Sequence, residues 1–286
     1  MAKGSSETGA YRSFRFETPA YRAFSPARIG AMVTRYWYLL RGSWPRLVDI
    51  VYWPTVQMVM WGLLQTYLKD VTSGTGVIAG ALIGGVLLWD VLLRGQFGFS
   101  ISFLEEMWSR NLGHLLMSPL RPAEFVASLA CMSAIRAAIG LVPVTGLAIL
   151  FFGFNLWHLG FGLALFFANL LLTAWAIGLF VCGLLLRNGL GAEGIAWSLI
   201  FLLLPLCCVY YPVSTMPEWL QWIALALPPT HVFEGMRSIL LDNTLDMGRM
   251  ALAFGLNCLY LAAGATAFVR LFDAARRAGS LIQQGE

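Results

Sequence analysis

Few residues in this sequence have the types and spacing for chemistry, and most of those stand where water does not reach. Asp90 and Arg94 lie four apart inside an otherwise apolar run, the favoured order for a helical ion pair, and Arg136 lies inside another. Charges so placed are costly, and they read as a pathway, a proton relay or a gate, or else as an ion pair that fixes helix packing. Glu234 and Arg237 stand three apart, and Tyr210 and Tyr211 are adjacent, both sets near a proline-rich stretch. Glu105, Glu106 and His114 are the best polar cluster for an enzyme acting on lipid, but they lack metal spacing or a nucleophile. His114, His158 and His231 fall in three separate loops, and no Ser, His and acid set stands out as a triad. Gly189 to Gly194 fits the dinucleotide fingerprint in spacing only, because it joins two apolar runs with no strand before it. No phosphate-binding loop with a Lys-Ser/Thr ending occurs, so the chain is not expected to hydrolyse a nucleotide by that route. The five cysteines lie in apolar runs without metal-ligand spacing and read as small core residues, so no metal site is expected.

What holds these residues is mostly lipid-facing chain. Of 286 residues, 58% are hydrophobic and only 12% charged, against about 25% charged in an ordinary soluble domain. Such a chain cannot cover a water-facing surface. Uncharged runs at 50–68, 71–89, 137–186, 194–217 and 250–269 each reach the roughly 18 residues of a spanning helix. The fifty-residue run divides near Gly153–His158, which gives six spans at about 47–67, 77–102, 124–151, 159–186, 195–212 and 250–270. Pro143 and Pro205 are expected to kink their spans.

The first 45 residues are basic and lack a signal peptide's apolar core, so the amino terminus is expected in the cytoplasm. Lys and Arg before span one, after spans two and four, and after span six outnumber those on the other side, which places both termini inside.

Three further elements follow. From Arg28 to Arg41, Ile29, Met32, Val33, Tyr36, Trp37 and Leu40 recur at helical spacing, with Arg28, Arg35 and Arg41 opposite, as in a helix lying along lipid headgroups. Phe103 to Arg121 reads as a short amphipathic helix stopped by Pro119, able to carry a push from a soluble protein into the spans it joins. Val213 to Arg249 is too apolar for a loop and reads as two half-length helices meeting at Pro228-Pro229, which dip into the membrane without crossing it. Counted inward from Phe103 and Ala123, Asp90 and Arg136 each lie about 20 Å deep and are expected to meet.

The stretches Arg110-Asn111-Leu112, Leu115 to Pro122, Pro212 to Gln221 and Leu227 to Arg237 resemble the permease subunits of ABC-2 type exporters, over nearly the whole chain after about residue 28. The stretch from Arg110 to Pro122 looks nearer to the drug-resistance and nodulation-type branch. The resemblance implies an all-α integral membrane fold: a cytoplasmic tail over 1–27, an amphipathic connecting helix over 28–46, a six-helix domain over 47–270 with a coupling helix and an external re-entrant hairpin, and a tail over 271–286. It implies that Arg28, Arg35, Arg41, Glu105, Glu106, Trp108, Arg110 and His114 meet a separate ATP-binding subunit, which carries the ATP and magnesium. It implies a second permease copy, an amphipathic or lipid-like substrate, no nucleic acid, and a place in the prokaryotic plasma membrane. Glu234 would be the glutamate of the hairpin, with Arg237, Tyr210 and Tyr211 beside it near the pathway. Asp90, Arg94 and Arg136 match no family position; a secondary transporter using them as an ion relay is the alternative.

Overall fold

The computed structural model describes residues 24–71 and 80–278, and among these every regular element is helical. The tails expected at the two ends lie outside the described residues before 24 and after 278. The helices are α1 (Pro26–Arg41), α2 (Trp44–Val71), α3 (Ala81–Trp108), α4 (Leu112–Met117), α5 (Pro122–Phe152), α6 (Phe161–Asn188), α7 (Glu193–Leu206), α8 (Glu218–Ala226), α9 (Pro228–Asp242) and α10 (Met247–Ala278).

Five of them, α2, α3, α5, α6 and α10, are long and apolar enough to cross a membrane. The run expected to span at 195–212 is helical only as α7, whose 14 residues rise about 21 Å, short of a hydrocarbon core of about 30 Å. Local chemistry sets the ends of the others. Pro122 sits in the first turn of α5, where its missing amide costs nothing, and the Glu124 carboxylate accepts from the Arg121 amide at 3.0 Å. Gly153, at φ +64°, ends α5 in the left-handed conformation that glycine adopts freely, and the fifty-residue run divides there.

At the centre lies α3, buried along most of its length against α2, α5, α6 and α9. It runs antiparallel to α5, with Arg94 beside Gly140 and Gly98 beside Ser133 and Arg136. α6 and α10 form the other closely packed pair, and they run parallel: Gly162 lies against Leu245, Asn169 bonds Asn257, Gly264 lies against the Ala176 carbonyl, and Gly183 against Leu271. A Cβ on Gly264 would come within 2.6 Å of that carbonyl oxygen, so the backbone approach requires glycine. Within this seam Asn257 Nδ2 donates to the Asn169 carbonyl at 2.9 Å, and Thr173 Oγ1 donates to Asn257 Oδ1 at 2.6 Å. Because α6 and α10 are parallel, the chain between them returns from one end of the bundle to the other.

Candidate functional site

Charged residues gather at both ends of the bundle. At the end that carries α1 and α4, three carboxylates and four guanidinium groups tie four helices together. Glu106 on α3 is buried, and both of its oxygens are engaged: Arg35 of α1 pairs with Oε1 and donates to Oε2 at 3.2 Å, and Asn111 Nδ2 donates to Oε2 at 2.7 Å. Glu124 on α5 is also buried; its Oε1 accepts from Arg28 at 2.7 Å and from the Ser25 amide at 2.8 Å. Glu105 stands between two helices, accepting from Arg46 of α2 at 2.8 Å and facing Arg136 of α5 at 3.9 Å. The Glu106 hydrogen bond holds the Arg35 guanidinium charged above its usual range, and burial pushes the Tyr36 phenol far above its own.

This arrangement reverses the expected facing of α1. Met32, Tyr36 and Leu40 are buried, but Arg28 and Arg35 turn inward with them, while Trp37, Tyr38 and Leu39 are exposed. In a membrane an apolar side chain is at home facing lipid, whereas a charge needs a partner, so the charges decide the facing. Gly42 and Ser43 then end α1, and the residues to 46 assigned to it belong to α2. Arg41 remains exposed.

The short amphipathic helix expected from Phe103 is two pieces. α3 runs on through Glu105, Glu106 and Trp108; the chain breaks at Arg110, a non-glycine residue at φ +53°; and α4 adds six residues. The break turns Trp108, Arg110, Gly113, His114 and Met117 outward, while Glu105 and Glu106 sit beneath α1 and α2. Both carboxylates are thus engaged by arginines, and His114 hydrogen-bonds neither, so the cluster weighed for an enzyme is not assembled.

Asp90 and Arg94 do pair, Nε donating to Oδ2 at 2.8 Å, but Arg136 does not join them. With Arg94 beside Gly140 and Arg136 beside Gly98, Asp90 and Arg136 are about eight residues apart along the bundle, roughly 12 Å. The inward count went wrong because α3 extends five residues past Phe103. Arg136 instead lays its stem along Gly98 and reaches toward Glu105 at the bundle end, as long basic side chains do. Arg94 has a second neighbour: Pro54 leaves the Ile50 carbonyl of α2 without its helical donor. A Cβ on Gly140 would lie 2.9 Å from Arg94 Nε and 3.3 Å from the Ile50 oxygen, so all three meet at one point.

At the other end, α8 and α9 form the hairpin, joined at Pro228-Pro229. His231 Nε2 hydrogen-bonds the Leu225 carbonyl at 2.8 Å and holds the two together. Glu234 Oε1 accepts from Arg237 at 2.9 Å and from the Val213 amide at 3.0 Å, and its Oε2 faces Arg249 at 3.8 Å. Arg237 is buried and donates to the carbonyls of Cys208 at 2.7 Å and Val209 at 3.4 Å. Tyr211 donates its hydroxyl to the Pro205 carbonyl at 2.6 Å. These donors satisfy carbonyls freed where α7 stops, which a helix ending inside lipid requires. Tyr210 stacks on Trp61 of α2. The reasoning from sequence singled out Glu234, Arg237 and both tyrosines, but missed Trp61 as a partner, Glu124 as a clamp, and Arg46 as more than an orientation charge. Glu124 carried a signal, an acid two residues after Pro122; the other two carried none.

The family model of the ABC-2 type transporter matches residues 29–241. The chain belongs to that family. It is a membrane permease subunit of an ABC transporter, and subunits of this kind transport and work with an ATP-binding subunit rather than catalysing on their own. No curated protein was found that matches the permease at a significant level. The match runs from α1 to the last turn of α9 and so takes in the ion network, the break at Arg110 and the hairpin, and leaves out α10.

Proposed function

We propose that the permease is the membrane half of an ATP-driven exporter of an amphipathic or lipid-like substrate, working as two copies with two ATP-binding subunits that carry the ATP and magnesium. The observation that carries this reading is the exposed turn of Trp108, Arg110, His114 and Met117, braced from beneath by Glu105 and Glu106. A push on that turn passes through buried ion pairs to α1, α2 and α5 at once. Trp108, Arg110 and His114 are the contact with the ATP-binding subunit, and Arg41 adds a cation beside the membrane. Glu105, Glu106, Arg28 and Arg35 are struts behind that contact.

Six crossings with both termini in the cytoplasm fit the parallel packing of α6 and α10, with α7 and the non-helical chain to Pro212 making the fifth crossing. The α4 end is then cytoplasmic, in agreement with the basic residues there, and α8–α9 is a re-entrant hairpin at the outer face of a prokaryotic plasma membrane. The hairpin, through Glu234, Arg237 and the tyrosines, controls the outer mouth of the path, and the Asp90–Arg94 pair is held closed against α5.

The test is co-purification with the cognate ATP-binding subunit in nanodiscs. A two-to-two mass and hydrolysis that needs both chains are expected. Trp108→Ala and His114→Glu should lower that hydrolysis several-fold while the permease remains folded. Full hydrolysis with both variants removes the turn from the interface.

A further inference from the structure

Gln57, Trp61 and Gln65 stand four apart on α2 and share one face of a helix that is otherwise apolar between Pro54 and Leu68 apart from Thr55 and Thr66, whose hydroxyls bond back to their own helix. Two atoms on that face are anomalous. The indole Nε1 of Trp61 and the amide Oε1 of Gln65 are both buried, and neither has a hydrogen-bond partner. They sit one turn apart, about 25 to 30 Å along α2 from Trp44 and therefore far from the ion network. An orphaned polar atom in a low-dielectric site carries a desolvation cost that a packed membrane protein normally removes. Here one atom only donates and the other only accepts.

The Trp61 indole is covered by Tyr210, with ring centroids 3.9 Å apart and planes 18° from parallel. Tyr210 belongs to the non-helical stretch that follows α7, where Arg237 holds the two preceding carbonyls, those of Cys208 and Val209. α3 supports the same stretch from the other side: a Cβ on Gly85 would fall 2.8 Å from the Val209 oxygen, so the backbones are in direct contact. Trp61 stands on α2, much of whose length the rest of the chain leaves uncovered. The stack therefore joins a firmly held segment to a loosely covered helix, and it is the joint that can open when α2 moves.

We infer that the Trp61–Tyr210 stack is a closed aromatic gate over a hydrogen-bonding site for a hydroxylated ring, the glycosyl head of an amphiphile. The inference rests on the permease reading above and deepens it. A hydroxyl is at once donor and acceptor, so it satisfies the indole N–H and the Gln65 oxygen together. The C–H face of a sugar ring takes the place of the phenol against the indole. A flat aromatic ligand replaces the stack but leaves both polar atoms unpaired. A carboxylate accepts from the indole and meets the amide oxygen with repulsion. Opening the gate is offset by pairing two groups that the closed state leaves alone, so this site favours hydroxylated substrates over apolar ones of equal length.

The experiment measures binding of tritiated dodecyl glucoside to the permease in nanodiscs, against tritiated dodecanol, with empty discs subtracted. Trp61→Phe keeps a ring and removes the donor; Gln65→Leu removes the acceptor. Each should weaken glucoside binding about 3- to 10-fold, the size of one neutral hydrogen bond, and leave dodecanol unchanged. Tyr210→Phe keeps the stack and should bind as the unaltered protein does. Unchanged glucoside binding in both variants overturns the inference, as does an equal loss for glucoside and dodecanol. A fall in the mass of the permease assembly in the variants also overturns it, because the two atoms then serve contact between copies. Co-purification with the ATP-binding subunit is scored separately, so failure of the exporter reading and failure of this site are told apart.

Discussion

Replacing Arg35 by alanine should release α1 from the bundle, and the size of the effect follows from the burial of its partner. Glu106 is 1% exposed and cannot rehydrate when its cation is removed, whereas the Arg35 side chain is 39% exposed and partly solvated already. Breaking a fully buried pair costs about 3–5 kcal/mol, and the exposure of Arg35 puts this one near the lower bound, about 3 kcal/mol. At about 1.4 kcal/mol per tenfold, that is on the order of 100-fold in the local opening equilibrium. Hydrogen exchange of α1 amides in nanodiscs reads this opening directly, because the lost contact is local to α1. Glu106→Gln should cost less, about 1 kcal/mol, since the amide still accepts from Arg35 and no charge is stranded. The decisive comparison is the double variant: Arg35→Ala with Glu106→Gln should exchange more slowly than Arg35→Ala alone. If the two changes add, or if Arg35→Ala leaves α1 protection within threefold of the unaltered protein, the pair is not what seats the helix and the reasoning fails.

Gly140→Ala should destabilise by about 1–3 kcal/mol, because its Cβ would meet Arg94 at 2.9 Å and the Ile50 carbonyl at 3.3 Å, whereas Gly146→Ala, with open space around it, should be near neutral; unfolding midpoints in mixed micelles compare them. Glu234→Gln should cost only about 1 kcal/mol, since Arg237 keeps its two carbonyls, yet it should lower transport more than folded yield; equal losses in both would make Glu234 purely structural. Asp246 accepts from the Arg249 amide and its guanidinium, which hold its carboxyl below the usual range. Its folded value lies below its unfolded one, so its contribution is complete above about pH 4 and is lost as pH falls through the folded value. Exchange at the α9–α10 junction should therefore be flat from pH 8 to about 5 and rise in acid, and Asp246→Asn should remove that rise.

The helices, their order and the proline-marked starts of α5 and α9 were legible because apolar length and proline act locally. The Glu234–Arg237 and Asp90–Arg94 pairs were legible because neighbours three or four apart on a helix are bound to meet. The partners of Glu105, Glu106 and Glu124 were not, because each arginine comes from another helix 59 to 96 positions away. The Asp90–Arg136 contact failed for a related reason. It depended on where α3 ends, and a helix end inside a charged, amphipathic stretch is set by what covers it.

The sequence by itself determined the solvent of this protein, the number of apolar runs and the placing of its few charges, because transfer of a side chain between water and lipid depends on that side chain alone. It also determined the family, through motifs kept in order along the chain. Tertiary structure decided which face of α1 turns inward, that Glu105 and Glu106 brace the turn at Arg110 from beneath, that α7 stops short, and that Trp61 lies under Tyr210. Those outcomes depend on which distant groups arrive within about 3 to 4 Å of one another, and that distance is a property of packed helices rather than of any one segment.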